Sequence, residues 1–152
     1  MPTYSAAFEP WWFFAFVVAI LLAISVAIAY GSGWRTLARR FRSTRSIEGE
    51  RFRLVSGSIG APKRPSALCR GCFFDTVGAE GFLLSVFFLF RLGNPPLFFP
   101  WTEIESVTEE LTWFVTGTVI SIRGVPNRIV IFGRAGQRIG QAYAHFAASK
   151  AT

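Results

Sequence analysis

The sequence predicts one N-terminal transmembrane helix followed by a mainly antiparallel β domain of six to seven strands, closed by a C-terminal helix. Three observations carry this. Residues 11–30 (WWFFAFVVAILLAISVAIAY) contain no charge. From residue 51 onward the apolar positions alternate with a period of two. Near the C-terminus, Ile139, Ala142, Tyr143 and Phe146 return to helical spacing.

The apolar run comes first. At about 1.5 Å rise per residue, twenty residues cross a hydrocarbon layer of roughly 30 Å. Trp11 and Trp12 at one end, Tyr30 and Trp34 at the other, fall where aromatic rings anchor at a membrane interface. The run has no preceding Lys or Arg and exceeds the length of a signal-peptide core, so an uncleaved anchor over residues 11–33 is expected. Ala15, Ala19, Ala23, Ala27 and Gly31 recur every four residues. That narrow row of small side chains would let a neighbouring helix approach closely. Within the span, the absence of ionisable residues removes any proton relay or imidazole ligand.

The charge is concentrated. Residues 31–64 hold eight arginines and one lysine against Glu48 and Glu50, so this stretch carries the whole formal charge of +7. By the positive-inside rule it faces the cytoplasm, which leaves residues 1–10 outside and places the chain in a bacterial inner membrane as a single-pass protein. Over 34–46 a basic juxtamembrane helix is expected: Trp34, Leu37, Ala38 and Phe41 share one face and the arginines largely the other. Arg35, Arg39, Arg40 and Arg42 are then candidates for contact with anionic lipid headgroups. The membrane position of the cluster argues against nucleic-acid binding, the usual reading of a basic pI.

The β domain spans 47–152. Arg51–Val55 alternates as a strand, Gly57–Pro65 reads as loop, and Leu68–Asp75 as a second strand. A turn at Gly78–Gly81 leads into Phe82–Leu92, which Gly93-Asn94-Pro95-Pro96 ends. Leu97–Trp101 follows, then a short strand or turn at Ile104–Val107. A long β-branched segment, Leu111–Arg123, precedes a hairpin turn at Gly124–Asn127 and a last strand, Arg128–Phe132. In Phe82–Phe90 both faces are apolar. One set, Phe82, Leu84, Val86, Phe88 and Phe90, can fill a core; Leu83, Phe87 and Leu89 remain on the other face. A helix of this chain, a membrane surface or a partner could cover them. Phe98, Phe99, Trp101, Trp113 and Phe114 add apolar area nearby and favour the partner, making Leu83, Phe87, Leu89, Phe98 and Phe99 the candidate docking face.

Chemistry-bearing motifs are sparse. Cys69 and Cys72 form a lone CxxC without further zinc ligands, and cytoplasmic thiols stay reduced, so packing is their expected role. Glu103, Glu105, Glu109 and Glu110 make an acidic patch that reads as a solvated edge or a docking surface for a basic partner. The glycines of 133–140 lack the Lys and Ser/Thr of a phosphate loop. No catalytic residue, metal ligand or cofactor site is expected.

Glu80-Gly81-Phe82-Leu83-Leu84 and Asn94-Pro95-Pro96-Leu97-Phe98-Phe99-Pro100-Trp101-Thr102-Glu103-Ile104 carry a family resemblance. Over residues 47–148 the chain resembles the pleckstrin-homology-like superfold, in the GRAM-like form found in small bacterial single-span proteins. The resemblance implies binding or scaffolding, with Lys63 and Arg64 in the loop where such domains often hold phosphoinositides. The expected function is therefore a non-catalytic, single-span accessory or scaffold subunit that stabilises a larger membrane protein complex through helix packing and a cytoplasmic docking domain. Respiratory and photosynthetic complexes are the assemblies in which such chains are common. Its partners would be other integral membrane subunits and anionic lipids. The alternative is a membrane-tethered lipid- or ligand-binding module.

Overall fold

A computed structural model describes residues 11–60, 67–112 and 114–152, the side chains of 28, 29, 67 and 112 excepted. Residues 1–10, Lys63, Arg64 and Trp113 lie outside the described residues. Two helices, α1 (Trp11–Gly31) and α2 (Trp34–Phe41), precede seven strands: β1 (Glu50–Gly60), β2 (Ala67–Val77), β3 (Gly81–Val86), β4 (Leu97–Pro100), β5 (Ile104–Thr112), β6 (Val115–Ile122) and β7 (Arg128–Phe132). Helix α3 (Arg134–Lys150) closes the chain.

The strands form one antiparallel sheet in the order β4-β3-β2-β1-β7-β6-β5, curled into a half-barrel. The curl needs the long strands to bend. β1 does so where its register against β2 shifts, between Phe52, Val55 and Gly57. Leu54 and Gly71 both take positive φ there, and the Gly71 amide donates to Ser56 Oγ at 3.0 Å. Such bulges bend a strand and tighten its twist. The same distortion brings the Cα atoms of Cys69 and Cys72 to 5.8 Å, and their sulfurs are joined. This corrects the expectation of reduced thiols: the two residues staple a bulge. Residues 57–60, expected in a loop, belong to β1, whose Gly57–Gly60 segment pairs with β7.

The concave side holds the core. Phe82, Leu84, Leu97, Phe99, Ile120, Ile122, Ile129 and Ile131 point into it. α3 lays Ala135, Gly136 and Ile139 against one end. Gly136 sits so close to the Ile131 carbonyl and Thr118 that a Cβ there would collide with both. α2 fills the remaining opening. Trp34, Leu37 and Phe41 are buried; Trp34 stacks on Phe73 with centroids 6.1 Å apart and planes within 5°, and Phe41 meets Phe99 at 5.0 Å. The Trp34 indole N–H donates to the Pro95 carbonyl at 3.0 Å, which satisfies its polar atom.

That arrangement corrects two expectations. Trp34 is no membrane-interface anchor, and the apolar face of residues 34–41 does not lie on lipid. Both are core, because a half-barrel of this width has an apolar mouth that a short amphipathic helix covers. The helix ends at Phe41, not 46; Arg42 then bridges to Leu97 and the Ser43 amide donates to Pro96, so the chain continues as an extension of the β4 edge.

α1 and α2 are separated by Gly33, whose φ of 78° favours a residue without Cβ. Among the described residues, no helix is long and apolar enough to cross a membrane. This corrects the single span over 11–33, and with it the N-outside orientation, the cytoplasmic placement of the domain and the inner-membrane location. The physical reason lies in the last turns of α1, which are bound to the β domain. Ser25 is fully buried; its hydroxyl lies 2.9 Å from both the Phe90 and the Leu92 carbonyl, and Asn94 Nδ2 donates to the Ser25 and Phe90 carbonyls. Ahead of Ser25, residues 11–24 rise about 21 Å, short of a roughly 30 Å hydrocarbon layer.

Two further readings change. The run Phe82–Phe90 is not one strand: β3 stops at Val86 and a 3-10 turn, Phe88–Phe90, follows. Leu111–Arg123 is not one strand either, because the chain reverses between Thr112 and Val115 to pair β5 with β6.

Candidate functional site

Three features of the molecular surface stand out. The first is α1. Away from its docked face its apolar side chains are open: Trp11 is 67% exposed, Phe14 65% and Phe16 60%. Ala15, Ala19, Ala23, Ala27 and Gly31 are all exposed. Ala23 lies two residues from both Leu21 and Ser25, about 200° around the helix, so the small-residue row points away from the β domain. Nothing among the described residues packs on it. Trp11, Trp12 and Tyr30 are likewise exposed, Tyr30 beneath the guanidinium of Arg35, whose Cζ lies 4.4 Å from the ring centre.

The second feature is the basic face of α2, and the four arginines named from the sequence do not share one fate. Arg40 turns to the β domain, paired with Glu103 and donating to the Arg123 carbonyl at 3.1 Å. Its assignment to lipid headgroups is corrected: Glu103, part of the acidic patch, claims it. Arg35, Arg39 and Arg42 line a groove of about 640 Å³ between α2 and the end of α1. Arg91, which the sequence reading left out, completes it from the loop after the 3-10 turn. A signal was present in hindsight: Arg91 stands between an all-apolar run and a Gly-Asn-Pro-Pro break, where a lone charge marks a surface.

The third is the outer face of β3 and β4. Leu83 and Phe98 are cross-strand partners, both half-buried. Phe87 is half-buried, stacked on Phe74 at 5.9 Å, and Leu89 is exposed. Phe99 does not belong with them. It is fully buried between Phe41 and Phe82, a correction that follows from strict alternation in β4, where Leu97 and Phe99 face inward and Phe98 outward. Phe88, expected in the core, is instead 64% exposed because the 3-10 turn breaks the period of two. Apolar residues also crowd the β5–β6 hairpin: Leu111, Val115 and Phe114, the last with positive φ and 96% exposed.

One interior group is out of keeping with the rest. Asp75 lies on β2 between the inward-facing Phe73 and Val77, 1% exposed, and neither carboxylate oxygen has a hydrogen-bond partner. Burial pushes its pKa from 3.8 up to about 8, so the group is held neutral. Two further ion pairs lie at the surface, Arg138 with Glu50 at 2.9 Å and Arg128 with Glu110 at 2.6 Å. Among the described residues, no group of His, Cys, Asp and Glu could hold a metal ion.

No known protein family matches this sequence. No curated protein matches it either. The functional reading therefore rests on the surfaces just described.

Proposed function

We propose that this chain is a non-catalytic accessory subunit, a scaffold that stabilises a larger assembly by presenting α1 to neighbouring subunits and bracing it with the β domain. The observation that carries this is the combination of a helix apolar on every free face with a polar clamp at its base. A helix that is apolar all round requires burial, and among the described residues the chain covers the side bearing Leu21 and Ser25. The clamp of Ser25 and Asn94 fixes the helix to a domain whose core includes α2, so a load on α1 reaches the sheet. Subunits that expose apolar helices, as integral membrane subunits do, are the partners this surface fits. Small side chains let a partner helix approach closely, and the alanine row offers the smoothest face for it.

The test is the double substitution Ala19→Leu, Ala23→Leu. After gentle extraction the unaltered chain should migrate with larger subunits in fixed proportion. The variant should run free while the β domain melts at an unchanged temperature. A chain that runs alone and monodisperse before any substitution overturns the proposal.

A further inference from the structure

A different surface, the groove between α1 and α2, supports a ligand site. Arg35 and Arg39 are one helical turn apart on α2, Arg42 follows at its C-terminal end, and Arg91 faces them from the loop after the 3-10 turn. No acidic residue lines the groove, and Arg39, Arg42 and Arg91 form no ion pair among the described residues. Arg40, on the same helix, is by contrast paired with Glu103. Like charges one turn apart destabilise a helix, so gathering four guanidinium groups without a counter-charge leaves an unbalanced field that an anion would neutralise. Guanidinium forks match phosphate oxygens two at a time, which makes phosphate the best-fitting headgroup.

The groove is not purely polar. Val26 and Leu92 line it beside the arginines, and Leu92 is 59% exposed. Val26 continues into the open apolar surface of α1 through Leu22. Charge and apolar wall thus meet along one line, as head and tail do in an amphiphile. The volume lies within the range of small-molecule sites. We infer that this groove binds one phosphate-headed lipid, its headgroup among Arg35, Arg39, Arg42 and Arg91 and its acyl chain along α1.

The test uses the full chain in a nonionic detergent, titrated separately with dihexanoyl phosphatidic acid, dihexanoyl phosphatidylcholine and inorganic phosphate. Binding is read by native mass spectrometry and by the shift in melting temperature. One phosphatidic acid per chain is expected, held at least tenfold more tightly than phosphatidylcholine or inorganic phosphate. Arg39→Gln with Arg91→Gln should weaken it tenfold or more, and Arg128→Gln, remote from the groove, should not. Equal binding of the two lipids, which needs no variant to observe, overturns the site. Inorganic phosphate binding as tightly as the lipid overturns the amphiphile and leaves a free-anion site. Unaltered binding by the double variant overturns the assignment of these arginines.

Discussion

Replacing Asp75 by Asn should make the protein more stable near neutral pH and leave it unchanged in acid. The carboxyl is buried among apolar side chains with no hydrogen-bond partner, and its pKa rises from 3.8 to about 8. Between those values the folded state keeps a proton that the unfolded chain has released. Stability is therefore full below about pH 4 and falls as pH rises towards 8, at about 1.4 kcal/mol per pH unit. At pH 7 the accumulated loss is about 4 kcal/mol, a large part of the 5–15 kcal/mol typical of a domain. Asn has nearly the same shape and does not ionise, and its buried amide takes the place of a protonated carboxyl that is equally without partners, so the two desolvation costs cancel. The expected net gain is about 4 kcal/mol at pH 7 and none at pH 4. Urea denaturation of both proteins at pH 4, 5.5 and 7, in the same nonionic detergent, measures it. A wild-type stability that stays flat over this range, or rises with pH, refutes the reasoning.

Two further perturbations address how the helices are held. Trp34→Ala removes the indole that plugs the half-barrel and should cost about 3–5 kcal/mol, seen as a lowered urea midpoint together with a weakened near-ultraviolet circular dichroism signal from the remaining aromatics. Asn94→Ala strips two donors from the base of α1 and should cost about 1–3 kcal/mol. Hydrogen exchange should then accelerate in residues 21–27 while β6 and β7 stay protected; uniform acceleration across the sheet would show that the clamp does not act locally.

Much of the strand pattern was legible in the sequence, and the misreadings have identifiable causes. Arg51–Val55, Leu68–Asp75 and Arg128–Phe132 all lie within strands because period-two alternation against a buried face leaves a clear trace. The Phe82–Phe90 run reads as one strand because a stretch apolar on both faces apart from Ser85 has no period to lose, so nothing marks the change to a 3-10 turn at Phe88. Leu111–Arg123 concealed a reversal that uses Phe114 at positive φ in place of a glycine. Trp34 was misplaced for a tertiary reason. An amphipathic helix beside an apolar run has the same local pattern whether its apolar face meets lipid or a protein core, and only the open mouth of the half-barrel decides between them. The groove was half legible: three of its arginines were named, but Arg91 is 49 residues beyond Arg42 and joins them only because β3 and the loop behind it return to the base of α1. Asp75 carried a weak signal as a lone acid in register with the apolar Phe73 and Val77.

The burial of Trp34, Leu37 and Phe41 in the half-barrel has a consequence for where this protein can be divided. Residues 47–152 hold all seven strands and the closing helix, and a cut at residue 46 would pass for a clean separation of tether from cargo. It would instead uncork the vessel, baring Phe73, Phe99 and their neighbours to water. Any gene fusion or graft of this domain has to begin upstream of Gly33, so that the stopper travels with the cup.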